Sequence, residues 1–275
     1  MKITEQNIVS HDGLSYYSTT WCPDNAPVAV ILFLHGHGDH CRRYDEWFEG
    51  FIEAEMAVFA IDYRGHGQSE GKRGVIGHFS DLQLDVNLLF AEGEKRFPET
   101  PKILYGHSMG ATILLHYLLN GENRPKLAIA SSPWLVLRNR PGKWMRVLIK
   151  TLNNIAPSLT MKTGLRSSDF SSVEGFGEKR EKDPWVHNRI SARLFTEVQK
   201  AAERVLRNTK PYPCEILLLQ GDADKVTSPE APIVLANRFN NIKFVNWPGG
   251  NHQLHNANDS RILQDLIIDW IKQHL

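Results

Sequence analysis

Residues 102–119, KILYGHSMGATILLHYLL, carry the reading that decides the fold. The strand-like run Lys102–Tyr105 leads into Gly106-His107-Ser108-Met109-Gly110, and Ala111–Leu119 follows as an apolar helix. The G-x-S-x-G pattern is weak by itself. Strand, tight turn and helix together are the context a nucleophile elbow requires, with the serine exposed at a sharp, strained bend. Glycines on either side remove the side chains that such a bend would bring into collision. A glycine-lined turn with an idle serine is the competing reading.

Outward from the elbow, short apolar β-branched runs alternate with amphipathic stretches, the signature of a parallel sheet covered by helices. Strands are expected at 28–34, 57–61, 102–105, 126–130, 215–219 and 242–246. Helices are expected at 44–54, 79–97, 111–119, 230–239 and 260–275. Residues 3–9 and 14–21 read as an antiparallel hairpin around Asp12-Gly13. From about Leu137 to Glu203 the rhythm breaks: no strand is visible, and the segment is too long for an ordinary loop. The expected fold class is α/β. A mainly parallel, twisted sheet with helices on both faces is built from 1–136 and 204–275, and 137–203 is an inserted helical cap.

The composition is that of a soluble globular chain of 275 residues: 41% apolar, 23% charged, formal net charge +1. Nothing in that balance recruits nucleic acid or an acidic membrane. Three scattered cysteines, Cys22, Cys41 and Cys214, suit reduced thiols in a cytoplasm better than a disulfide framework. The N-terminal residues lack a signal-like apolar stretch, and the longest apolar run, Val28–Leu34, is too short to span a bilayer.

A serine hydroxyl needs a base, and the base needs a carboxylate to orient it. In elbow hydrolases the carboxylate and then the histidine follow the serine in chain order, on loops past later strands. Gly221-Asp222-Ala223-Asp224 follows the strand 215–219, and Gly250-Asn251-His252 follows 242–246. Asp224 has the reach for the acid role, while Asp222 is placed to bond the turn. His252 is the expected base, with His255 as its rival. An oxyanion needs preorganised N–H donors, for which the peptide groups of Met109 and of His37, in the loop after the first long parallel strand, are the candidates.

Leu34-His35-Gly36-His37-Gly38-Asp39-His40 with Arg43-Tyr44, the run Asp62-Tyr63-Arg64-Gly65-His66-Gly67-Gln68-Ser69-Glu70-Gly71, and the elbow form a linked set of motifs. Asp183-Pro184, Gly221–Asp224 and His252-Gln253-Leu254-His255 complete it. In order and spacing this resembles the monoglyceride lipase and lysophospholipase branch of the α/β-hydrolase fold, across nearly the whole chain beyond residue 12. The resemblance implies Asp224 as carboxylate, His252 as base, a helical cap, and a polar cluster at the glycerol end of the site. It also implies hydrolysis of a single acyl chain from a glycerol-type ester, a small lipid-like substrate, without metal or organic cofactor. Asp39 stands where some members carry Glu, and His37 where some carry a small residue. Asp39, Arg43 and His255 are candidate contacts to the alcohol, and Asp62–Gly71 is expected to brace a loop beside the site.

Two readings of other chemistry compete. His35-x-His37-x-Asp39-His40 matches an H-x-H-x-D-H zinc signature, whose imidazoles and carboxylate are proper zinc ligands. The same fold also serves as a non-catalytic ligand receptor, usually with a triad member missing; here none is. Within the cap, Lys143–Leu152 places Trp144, Val147, Leu148 and Leu152 at helical spacing with Lys143, Arg146 and Lys150 between them. That basic amphipathic segment reads either as a face for transient contact with a membrane or micelle, Trp144 foremost, or as the inner roof of an acyl tunnel.

Overall fold

Apolar runs without alternation belong in strands covered on both faces, and the chain folds accordingly. The computed structural model describes residues 1–275. The hairpin β1 (Lys2–Val9) and β2 (Ser15–Cys22) is followed by β3 (Ala29–Leu34), α1 (Asp45–Glu53), β4 (Met56–Ile61), α2 (Phe79–Arg96), β5 (Lys102–His107), α3 (Met109–Asn120) and β6 (Leu127–Ser131). Next come α4 (Lys143–Ile155), β7 (Thr160–Lys162), α5 (Phe176–Lys182), β8 (Arg189–Ser191) and α6 (Ala192–Arg207). The chain closes with β9 (Glu215–Gly221), α7 (Glu230–Ala236), β10 (Ile242–Trp247) and α8 (Ser260–His274).

Eight strands form one sheet in the order β1-β2-β4-β3-β5-β6-β9-β10. The pairs β1/β2 and β2/β4 are antiparallel and the rest parallel. All residues of β3 and β4 are buried. The strand period of two sends Val30, Leu32 and Leu34 to one face, packed with α2, α3 and α6, and Ala29, Ile31 and Phe33 to the other, packed with α1 and α8. Each such Val, Leu, Ile or Phe side chain contributes roughly 1.5–3 kcal/mol by leaving water. Parallel pairing also brings the carboxyl ends of β3, β5, β9 and β10 to one edge, where open α/β sheets build their sites.

The inserted segment corrects the sequence expectation at its C-terminal edge. The line drawn at 203/204 falls inside α6, a continuous helix. Leu194, Val198, Ala201, Ala202 and Val205, at helical spacing, bury one face of α6 in the same core as α3. α6 is therefore the crossover helix over the sheet. No strand immediately precedes it in the sheet, and for that reason the alternation of strands and helices did not reveal it. The insert also holds a three-residue antiparallel pair, β7/β8, that the sequence pattern did not show. α7 ends three residues earlier than expected.

Candidate active site

Ser108 joins β5 to α3 with φ 54° and ψ −114°, a conformation that costs a non-glycine residue free energy. The flanking glycines make it attainable. A Cβ on Gly106 would lie 2.5 Å from the Gly110 carbonyl oxygen, and one on Gly110 would lie 2.1 Å from that of Leu34. The bend carries Ser108 above the sheet edge, where it lines a cavity of about 1220 Å³.

His252 and Asp224 meet it there. His252 Nε2 is 2.9 Å from Ser108 Oγ, and His252 Nδ1 is 2.8 Å from Asp224 Oδ2. All three residues are buried, Ser108 the least so at 8% exposure. The Asp224 carboxylate is well supplied with donors: the N–H groups of Val226 and Thr227 at 2.7 and 2.9 Å, the Thr227 hydroxyl at 2.7 Å, and Gln220 Nε2 at 2.9 Å. Burial by itself would raise its pKa. The charge and hydrogen bond of His252, with the bonds from Thr227, outweigh that and hold it at about 2. Asp222, the alternative acid, points elsewhere and accepts the Gly249 N–H at 2.7 Å, bracing the turn.

The loop after β3 presses on the elbow; a Cβ on Gly36 would lie 3.4 Å from Ser108 Cβ. The His37 peptide N–H donates to no backbone carbonyl, and Met109, as the first residue of α3, has no acceptor within its helix. The His37 imidazole meanwhile donates from Nε2 to the Arg189 carbonyl at 3.1 Å, and burial, the largest influence, pushes its pKa down to about 3.

The zinc reading fails on where its ligands point. His35 donates to the Gly36 carbonyl and accepts from the Tyr63 N–H, His37 is turned to Arg189, and His40 pairs with Asp183 at 2.9 Å. Nowhere in the chain do three His, Cys, Asp or Glu side chains converge as a metal site. The Asp62–Gly71 run braces, as expected. Asp62 accepts from the N–H groups of Cys41 and Gln68, and Arg64 forms a buried ion pair with Asp85.

The polar cluster and Trp144 need correction. Asp39 and Arg43 pair at 2.8 Å, but neither they nor His255 reach the cavity wall. Asp39 is completed by Gln253 Nε2 at 3.1 Å, whereas His255 makes no hydrogen bond and packs between Tyr44 and His107. Burial drives its pKa down to about 3, so the ring stays neutral in that aromatic setting. The charged residues on the cavity wall include Arg180, Glu181 and Asp183 from the insert instead. Trp144 is 88% exposed, outside the cavity, because the helical period puts it with Val147, Leu148 and Ile155 on the outer face of α4. Met145 and Ile149, on the next face, line the cavity instead.

Sequence reasoning missed Gln220, Thr227, Phe170 and Arg180. A polar Gln220 ending an otherwise apolar strand, and Thr227 three residues past Asp224, were signals for the first two. Phe170 and Arg180 lie in the insert, where no periodicity fixed their place.

Comparison with known proteins identifies the family of this fold. The family model described as "Serine aminopeptidase, S33" (Hydrolase_4) matches residues 25–259. The monoglyceride lipase of Mus musculus is 31% identical over 90% of this chain and 83% of its own length. Phospholipase YtpA of Bacillus subtilis is 28% identical over 86% of this chain and 92% of its own. The crystal structure of Paleococcus ferrophilus monoacylglycerol lipase superposes with a TM-score of 0.82 at 26% identity, covering all of both chains. No helix is long and apolar enough to cross a membrane. With the model covering most of its length, the chain belongs to the serine aminopeptidase S33 hydrolase family and, within the α/β hydrolases, to the serine ester hydrolases that include the monoglyceride lipases.

Proposed function

We propose that this chain hydrolyses single-acyl, glycerol-type esters, with Ser108 as nucleophile, His252 as general base and Asp224 as the orienting carboxylate. The observation that carries the reading is the chain of hydrogen bonds Ser108–His252–Asp224, with Ser108 lining a large cavity. Ser108 Oγ attacks the ester carbonyl as His252 Nε2 takes its proton. The peptide N–H groups of Met109 and His37 receive the developing oxyanion. When the carbonyl–oxygen bond to the alcohol breaks, His252 returns the proton to that oxygen and the alcohol leaves. Water, deprotonated by His252, then attacks the acyl-enzyme; the acid departs and Ser108 regains its proton. Asp224 stays ionised throughout, in keeping with its low pKa.

The substrate class rests on relatives named for monoglyceride and phospholipid cleavage and on a cavity larger than most small-ligand sites. Its apolar wall includes Met145, Ile149 and Phe195, suited to an acyl chain, and its other wall bears Arg180 and Asp183. Residues 137 to about 191 form the cap in this reading. The test is a turnover series on monoacylglycerols, lysophospholipids and p-nitrophenyl esters of graded chain length. The expected kcat/KM rises with chain length and favours the glycerol esters. A fall beyond four carbons would make the protein a small-ester esterase instead.

The outer face of α4 is proposed to rest on lipid surfaces during catalysis, with Trp144, Val147 and Leu148 toward the acyl chains and Lys143, Arg146 and Lys150 toward anionic headgroups. Trp144→Glu should weaken binding to anionic vesicles about ten-fold or more, given the apolar area one Trp buries. Because Trp144 is exposed, the melting temperature should stay put. Unchanged vesicle binding in a folded variant would remove α4 from any interfacial role.

A further inference from the structure

Arg180, on α5, is 8% exposed and lines the same cavity as Ser108. A guanidinium so far out of water normally has its donors met by carboxylates or carbonyls, because an unpaired buried charge is costly. Arg180 Nη1 is buried with no hydrogen-bond partner. The one carboxylate oxygen within ion-pair range, Asp39 Oδ2, is 3.8 Å away, beyond a hydrogen bond. Asp39 is moreover already engaged by Arg43 and Gln253, and Asp183 by His40 and Arg43. A weakly compensated charge is thus held at the cavity wall.

Its position relative to the reaction is fixed by Phe170. The Phe170 ring lies 4.5 Å from the Arg180 guanidinium carbon and 5.8 Å from the His252 ring. Arg180 therefore stands one aromatic ring away from the group that protonates the leaving alcohol. A neutral glycerol hydroxyl would take a single donor and leave the charge uncompensated. Two oxygens of a phosphate or carboxylate match the guanidinium fork in both charge and shape.

We propose that Arg180 binds an anionic group carried on the leaving alcohol, so that single-acyl esters of a phosphorylated glycerol-type alcohol are preferred over neutral monoacylglycerols. This rests on the Ser108–His252 reading and narrows it. The experiment compares kcat/KM for a lysophosphatidate and a monoacylglycerol of the same acyl chain, in the wild type, Arg180→Gln and Arg180→Lys. The wild type is expected to favour the lysophosphatidate. Arg180→Gln should reduce that preference on the order of thirty-fold, the typical worth of a hydrogen bond to a charged group. Arg180→Lys should fall between, keeping the charge and losing the fork. An unaltered preference in Arg180→Gln, or none in the wild type, would overturn the assignment.

Should Arg180→Gln fail to fold, inhibition of wild-type p-nitrophenyl ester hydrolysis decides. Glycerol 3-phosphate should compete at far lower concentration than glycerol. Inhibition no stronger than by glycerol, or inorganic phosphate competing as well as glycerol 3-phosphate, would contradict a site built for the leaving alcohol. Wild-type turnover of the neutral p-nitrophenyl ester reports the Ser108 reading separately. With that turnover present and no anion preference, the Arg180 assignment alone fails.

Discussion

Ser108→Ala and His252→Ala are each expected to lower kcat by about six powers of ten, and the double variant is expected to lose nothing more. The reason lies in the single hydrogen bond between them. With Ser108 Oγ 2.9 Å from His252 Nε2, removing the base leaves an un-ionised hydroxyl, and removing the hydroxyl leaves the base without a task. What survives in either case is the contribution of the oxyanion donors and of binding. Asp224 keeps its bonds from Val226, Thr227 and Gln220 when His252 is truncated, so the loop should hold its shape. Steady-state kinetics on a p-nitrophenyl ester, with circular dichroism to confirm folding, checks this. Multiplying losses in the double variant would mean that the two residues act independently, contrary to the mechanism.

Asp224→Asn is expected to cost about four powers of ten in kcat, because an amide favours the wrong tautomer of His252 and cannot stabilise its cation. Asp222→Asn should stay within about threefold, as befits an exposed residue whose one bond goes to the Gly249 N–H. A reversed order would move the acid role to Asp222. The same variant has a pH signature. The folded pKa of Asp224, at about 2, lies below the ordinary aspartate value of about 3.9 expected in the unfolded chain. The ionised carboxylate thus stabilises the fold above the unfolded value, and the benefit disappears as pH falls through about 2. Its size is on the order of 2 kcal/mol. Urea unfolding between pH 5 and 2 should show the stability gap between wild type and Asp224→Asn closing toward acid.

The sheet and the elbow were legible because their residues obey local rules. The runs at 28–34 and 57–61 are apolar throughout and can only be buried on both sides, and strand, G-x-S-x-G and helix lie contiguous in sequence. Asp224 and His252 followed from chain order and loop position. The insert was harder to read, since its shape is set by contacts with distant loops. The Ser191 N–H reaches the Gly74 carbonyl, and the His187 N–H that of Gly38, across more than a hundred residues of chain. Helical spacing gave the stripe through Trp144 but not its direction, because a helix with one apolar face fits equally under a roof or against a lipid. Arg180 was invisible for the same reason: in sequence it is one cation beside Lys179 and Lys182 on a polar helix, and only packing against Phe170 sets it apart.

The central claim, that Ser108 is a covalent nucleophile, is tested most directly by intact-protein and peptide mass spectrometry after treatment with a fluorophosphonate. The mechanism predicts one adduct per chain, located on the peptide containing Ser108, with none in Ser108→Ala and a greatly slowed reaction in His252→Ala. Stoichiometric labelling of folded Ser108→Ala, or an adduct on any other serine of the wild type, would contradict it.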